Sequence, residues 1–171
     1  MMRNHPVKTQ LITTGTSMLS GDLIAQKLVE RRSTVDIPRA ARFFAMGIGY
    51  NGPVYRAWYL TLDRLIGTGS ARAAVVKKVV LDQAVFFPSL FLPGFLVTLG
   101  ALQRRSWEDI RRKVLTDYAP ILKANYVLWP AVQMINFTFV PLSYRLPFGS
   151  CVALVWNTYL AWRANLTVQE P

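Results

Sequence analysis

The sequence predicts an all-α integral membrane protein, a bundle of about five membrane-embedded helices (four as the alternative count) with one short amphipathic helix on the surface. Three observations carry this expectation. The stretch Asn125–Trp162 is mostly apolar and aromatic, yet an amide or a proline interrupts it every few residues. A buried amide without a hydrogen-bond partner costs roughly 2 to 7 kcal/mol. A water-soluble core would therefore not usually place Asn125, Gln133, Asn136 and Asn157 in such oily runs, whereas a lipid-embedded bundle has a use for them between its helices. Hydrophobic residues make up 52% of the chain and charged residues only 17%, and the mean hydropathy is positive; a soluble domain of this length rarely combines these. Finally, Gln83–Gln103 and Ala124–Tyr144 each run 21 residues without a charge, enough to cross a hydrocarbon core about 30 Å thick. The 171 residues are read as a single transmembrane helical domain, 1–171, with short loops.

The segment Val7–Val29 carries Lys8, Asp22 and Lys27, and Ala40–Ile66 carries Arg42, Arg56, Asp63 and Arg64. Both are long and rich in small residues. A backbone that spans lipid must satisfy its own hydrogen bonds, so each is expected to be a helix whose charges face other helices or water. Gln83–Gln103 is the third span. Between it and the fourth lies RRSWEDIRRKVLTDY, in which Trp107, Ile110, Val114 and Leu115 recur at helical spacing while Arg and acidic residues fill the other face. This is the expected surface helix. Ala124–Tyr144 is the fourth span. Leu146–Trp162, 17 uncharged residues ending in Trp156, Tyr159 and Trp162, is a slightly short fifth with interfacial aromatics.

The formal charge of +11 raises the question of nucleic acid, because Lys and Arg displace counterions from phosphates. The bases, however, fall mainly between the apolar segments: Arg31, Arg32, Arg39 and Arg42 in one gap, Arg104, Arg105, Arg111, Arg112 and Lys113 in another. Headgroup contact and topology control produce such placement. Direct nucleic-acid binding is disfavoured, and the bias places the C-terminus on the side of synthesis if five helices span. Before Asp22, the first acidic residue, come Arg3, His5, Lys8 and several Thr and Ser, a composition similar to a mitochondrial targeting sequence.

Chemistry-bearing motifs are sparse. Cys151 and His5 are single residues of their types; the first is expected to be an inert packed thiol, and together they leave no basis for a disulfide, a multi-histidine zinc site or His-based catalysis. No phosphate loop, nucleophile elbow or metal-ligand cluster stands out. An enzyme is disfavoured, and no cofactor or metal is expected.

What remains is a set of polar residues inside apolar segments. Asn125, Trp129, Gln133 and Asn136 fall at spacings that share one helix face. Asp22 and Gln26 are one turn apart, Asp82 adjoins Gln83 and follows Lys78 by four, and Arg56 and Asp63 are seven apart. With Asn157 these form the candidate site: Asp22, Gln26, Arg56, Asp82, Gln83, Asn125, Trp129, Gln133, Asn136 and Asn157 line a polar path or join helices by hydrogen bonds. Spacing alone leaves both readings open. Pro53, Pro88, Pro93, Pro120 and Pro130 bend helices and so can open a cavity, and Gly47, Gly49, Gly52, Ser17 and Gly21 allow close helix approach.

GDLIAQ at Gly21–Gln26, LDQ at Leu81–Gln83, WPAVQMINFTFVPLSYR at Trp129–Arg145 and WNTYLAW at Trp156–Trp162 resemble the Mpv-seventeen / peroxisomal twenty-two-kilodalton membrane protein family. The resemblance covers nearly the whole chain. His5-Pro6, LVERR at Leu28–Arg32 and GPVYRAWYLTLDR at Gly52–Arg64 look especially like the animal mitochondrial member that gives the family its name. The resemblance implies a mitochondrial inner-membrane protein, with the peroxisomal membrane as the alternative location. It also implies a weakly selective channel that supports nucleotide supply and mitochondrial DNA maintenance; Arg56 and the loop bases would draw small anionic metabolites to it. The expected partners are membrane lipids and a small-molecule solute, with a homo-oligomer allowed. A non-conducting membrane scaffold is the rival reading, and a nucleic-acid tether through Arg111–Lys113 a third. One departure is visible: Ala161 stands where a Ser often follows the final Tyr-Leu pair, so position 161 is not a candidate pore ligand.

Overall fold

The computed structural model describes residues 6–67, 72–140 and 144–166, with the side chains of 6, 72, 136–138 and 145–147 excepted. Among the described residues every regular element is helical. Helix α1 (Pro6–Ile24) widens into a π-helical stretch, Ala25–Val29. Helix α2 (Ile37–Met46) continues through a second π stretch, Gly47–Asn51, into α3 (Gly52–Ile66). Helix α4 (Arg72–Leu81) continues through a third, Asp82–Phe91, into α5 (Leu92–Leu102). Helices α6 (Trp107–Phe139) and α7 (Arg145–Asn165) follow. The described chain thus forms five helical rods, and local chemistry accounts for their breaks. The Asp36 carboxylate caps α2 by accepting from the Arg39 amide at 2.9 Å, Ser106 caps α6 by accepting from the Asp109 amide at 3.2 Å, and Gly67, at φ 96°, ends α3 in a conformation that only glycine adopts cheaply. Pro53 follows one π stretch and Pro88 lies inside another; a proline ring clashes with the carbonyl four residues earlier, and a widened turn relieves that clash.

Two expectations need correction. The amphipathic segment after Gln103 is not a separate surface helix: it is the first part of α6, 33 residues long and hence about 50 Å, which runs without a break through Pro120 and Pro130. Ile110, Lys113, Asp117 and Ile121 face inward while Trp107 and Leu115 are exposed, because docking on α5 and α7 selects the face that meets those helices. Cys151 is not packed; it is exposed beside Val155 on the outer face of α7. As to spanning, one rod among the described residues, Ala73–Leu102, is long and apolar enough to cross a bilayer on its own composition.

Helix α1 lies between α7 on one side and α2 with its π extension on the other, while α6 packs on α5 and α7. The core between the rods is aromatic: Phe43, Phe86, Phe87, Phe91, Phe95 and Trp156 are all buried, and Trp58 stacks on Phe86 at 4.6 Å. Two glycines set the closest approaches. A Cβ on Gly47 would strike the Gly15 backbone, and one on Gly21 would lie 2.7 Å from Asn157 Cβ. Polar and charged groups are buried within this apolar core while large aliphatic side chains are exposed outside it. Asp22, Gln26, Arg39, Asn51, Asp117 and Asn125 are at most 5% exposed, whereas Leu90, Val127, Met134 and Val155 are more than 60% exposed.

Candidate functional site

Four polar centres occupy the interior. The first joins the end of the α1 rod to the start of α2. Arg39, 2% exposed, donates from Nε to Asp22 Oδ1 at 2.6 Å and through its two terminal nitrogens to Glu30 at 2.8 and 2.6 Å. It reaches the Ala161 carbonyl of α7 at 3.3 Å. Gln26 completes the clasp by donating to Asp22 Oδ2 at 2.7 Å while its oxygen accepts from the Asp36 amide at 2.6 Å. Both oxygens of Asp22 and both ends of Gln26 are thereby committed to partners.

Glu30 sits at the rim of this clasp with Arg32 also on it at 2.7 Å. The forked hydrogen bond from Arg39 holds its carboxyl below the ordinary 4.5. A carboxyl depressed in the folded state stabilises fully above its unfolded value and loses that contribution as pH falls through the folded one. Thermal melts in detergent should therefore show no Glu30-dependent change from neutrality down to about pH 5, followed by a loss below it that Glu30→Gln removes. An equal acid loss in both proteins would refute this.

The second centre bridges three rods. Asp82 accepts from Trp58 Nε1 at 2.9 Å and from Gln83 Nε2 at 3.0 Å, and Gln83 Oε1 accepts from Asn125 Nδ2 at 2.7 Å. Tyr126 donates to the Gln83 carbonyl at 3.0 Å. The helical spacing of Asp82 with Lys78 is not used; Lys78 instead meets Asp63 of α3 at 2.5 Å. The third centre seats the end of α7. Lys113 pairs with the buried Asp117 at 2.8 Å and donates to the carbonyls of Arg163 and Leu166 at 3.2 and 2.7 Å, and Arg163 meets Asp117 at 3.2 Å. A cation over the free carbonyls of a helix C-terminus is favourable.

The fourth centre is a half-open cavity of about 290 Å³ lined by α1, the second and third π stretches, α3, α6 and α7. Thr13, Thr14, Ser17, Asn51, Ser150 and Asn157 supply its polar wall. Tyr55, Phe91, Trp129 and Trp156 supply an aromatic one. Asn157 donates to Ser17 at 2.9 Å, while the buried Oδ1 of Asn51 has no hydrogen-bond partner among the described residues.

The residues singled out from the sequence are thus dispersed. Asp22 and Gln26 lie in the clasp, Asp82, Gln83 and Asn125 in the three-rod bridge, and Trp129 and Asn157 in the cavity. Gln133 lies apart, with Pro130 and Met134 against Val75, Val76 and Val79 of α4 in a mainly apolar hollow of about 300 Å³. Arg56 is half-buried, with no ion pair among the described residues. The side chain of Asn136 lies outside the described residues. The face shared by Asn125, Trp129 and Gln133 is divided between two neighbours, since each four-residue step overshoots a helical turn by about 40° and α6 is wedged between α5 and α7.

Sequence reasoning missed Arg39, Asp117, Asn51 and the hydroxyls. Arg39 and Lys113, read as headgroup-facing bases, are buried in ion pairs, because a nearby carboxylate and free helix carbonyls replace the water each cation gives up. The Lys113–Asp117 spacing of four was the available signal; the Thr13 and Ser17 spacing, also four, was another. Nothing local marks Asn51.

Residues 100–161 match the family model described as Mpv17 / PMP22 family. The human protein named mitochondrial inner membrane protein Mpv17 is 45% identical over 163 residues, spanning 94% of this chain and 92% of its own. The Danio rerio protein of the same name is 42% identical, spanning 96% and 93%. Protein SYM1 of Gibberella zeae is 36% identical, spanning 92% and 90%. No solved structure matches the chain.

Proposed function

The chain belongs to the Mpv17 / PMP22 family, and from that premise we propose that it is a mitochondrial inner-membrane protein. In this reading its five rods all span the bilayer and its interior passes small metabolites. The exposed aliphatic surface carries this reading: large aliphatic side chains such as Leu90, Val127, Met134 and Val155 face outward, while Asp22, Arg39 and Asp117 are buried among the rods on charged partners. In water that arrangement would be unstable; in lipid it is the ordinary one, since intramembrane ionisable groups face the bundle interior and one another. The ion pairs of the clasp and of the Lys113 seat let the weaker segments cross despite their charges. Arg56 and the exposed bases at the ends of the rods concentrate anionic solutes near the mouths. Supply of nucleotide precursors would connect such passage to mitochondrial DNA without any contact with DNA.

The cavity is the place in the interior where a solute can lodge. Purified protein in liposomes should release entrapped small solutes faster than protein-free vesicles, and Ala153→Phe, which fills the cavity from α7, should reduce the release of small neutral ones several-fold. Release no faster than from empty vesicles, with the protein folded and inserted, would refute passage. The scaffold reading keeps support from one specific observation: Asp22 bonds Arg39, Gln26 bonds the Asp36 amide at the cap of α2, and Gln83 bonds the Asn125 amide, each link tying one rod to another. A scaffold would show loss of thermal stability on mutation of these residues and no flux from any variant.

A further inference from the structure

The geometry points to the cavity between α1, α3, α6 and α7 as a binding site for one chemical class: a neutral, planar heteroaromatic molecule that carries a carbonyl acceptor. This goes beyond passage of solutes, because binding there stands whether or not the chain conducts.

Charge decides the first part. Among the described residues no Lys, Arg, His, Asp or Glu lines the cavity, and the nearby carboxylate Asp22 is held by Arg39 and Gln26. A carboxylate or phosphate entering would lose its hydration with no counter-charge to replace it, which is far more costly than moving a neutral amide. The bases that draw anions to the mouths are not repeated inside. Shape and wall chemistry decide the second part. Two aromatic pairs contribute to the wall: Tyr55 and Phe91, centroids 4.6 Å apart, and Trp129 and Trp156, 6.3 Å apart. Aromatic surfaces from separate rods favour a flat π-system over an aliphatic one of equal volume. A volume of about 290 Å³ lies at the lower end of small-molecule sites, the size of one ring with a short polar substituent.

The polar part follows from Asn51. It is 5% exposed and lines the cavity, and its Oδ1 is buried with no partner among the described residues. That oxygen is turned away from the cavity, so the edge of the Asn51 amide that meets the cavity is its Nδ2, a donor with no hydrogen bond among the described residues that a ligand acceptor would satisfy. Ser17, Thr13 and Asn157 stand on the same wall to serve a ligand carbonyl. A lipid tail, the obvious alternative occupant in a bilayer, would offer these groups and the Asn51 amide no further hydrogen bond.

Nicotinamide and nicotinate form a matched pair of probes, alike in ring and size and different in one charge. Cyclohexanecarboxamide keeps the amide and removes the flat ring. With the full chain in phosphatidylcholine nanodiscs, calorimetric titration should show nicotinamide binding, and nicotinate and cyclohexanecarboxamide each weaker by about tenfold or more, the factor that roughly 1.4 kcal/mol produces. Asn51→Leu should weaken nicotinamide similarly. Ala153→Phe should abolish binding while the melting temperature is kept, which separates a filled cavity from a misfolded protein. The proposal is overturned if nicotinamide does not bind the wild-type chain at millimolar concentration or if nicotinate binds as well. Equal binding of cyclohexanecarboxamide, or a lipid retained by the wild type and lost from Ala153→Phe, overturns it as well. Flux from liposomes with no nicotinamide binding would leave passage intact and sink this inference alone.

Discussion

Asp22→Ala should lower the stability of the folded chain by about 3 to 5 kcal/mol, the cost of removing one partner from a buried ion pair. The reason is what the substitution leaves behind. Arg39 is 2% exposed and donates to Asp22 at 2.6 Å; without the carboxylate its Nε is buried and bare, and Gln26 loses an acceptor in the same step. Glu30 still holds the other end of the guanidinium, so the clasp loosens toward its rim and need not dissolve. Asp22→Asn should cost less, because the amide oxygen still accepts one hydrogen bond. The double replacement Asp22→Leu with Arg39→Met should recover much of the loss, as apolar residues of similar volume often match or exceed a buried pair. The measurement is the thermal or denaturant midpoint in a fixed detergent. A single mutant within about 0.5 kcal/mol of wild type, the usual range for surface changes, would show that the clasp contributes little.

Gly47→Val should have the second large effect, at or beyond the upper end of the roughly 1 to 3 kcal/mol that overpacking costs. A Cβ at Gly47 meets the Gly15 backbone, and backbone cannot rotate aside as a side chain can. To accept it, α1 would have to move away from the second rod, which would also pull on the α7 face that packs against Gly21. Gly49 is the control. Nothing lies within 4 Å of a Cβ added there, so Gly49→Ala should be tolerated. Two glycines two residues apart in one π stretch would then differ sharply in the same melting experiment. Similar behaviour of the two variants would mean that the Gly15–Gly47 contact does not set the spacing of the rods.

These two positions also show how far the sequence could be read. Gly47 and Gly49 were equivalent on paper, both small residues in an apolar segment, and only the crossing point of α1 tells them apart. Asp22 and Gln26 were legible as a pair because a spacing of four puts two side chains together on any helix. Their partner Arg39 was not, since it lies 17 residues from Asp22 and reads as one more base between apolar segments. Asp82 and Gln83 were similarly visible as neighbours, while Trp58 and Asn125, which complete their hydrogen bonds, come from other rods. The cavity was least legible. Trp129 and Asn157 were named for their residue types, but Thr13, Thr14 and Asn51 are ordinary residues in helices and become a wall only when the five rods converge.

By itself the sequence determined the helical class, the approximate places of the five rods and the family, because hydrophobic run length, proline and cap positions and motif order are properties of the chain taken locally. The tertiary structure alone decided which polar residues are spent on one another and which remain to face a cavity. That distinction depends on distances between residues tens of positions apart, and helical periodicity fixes the direction a side chain leaves its own helix without fixing what it meets there.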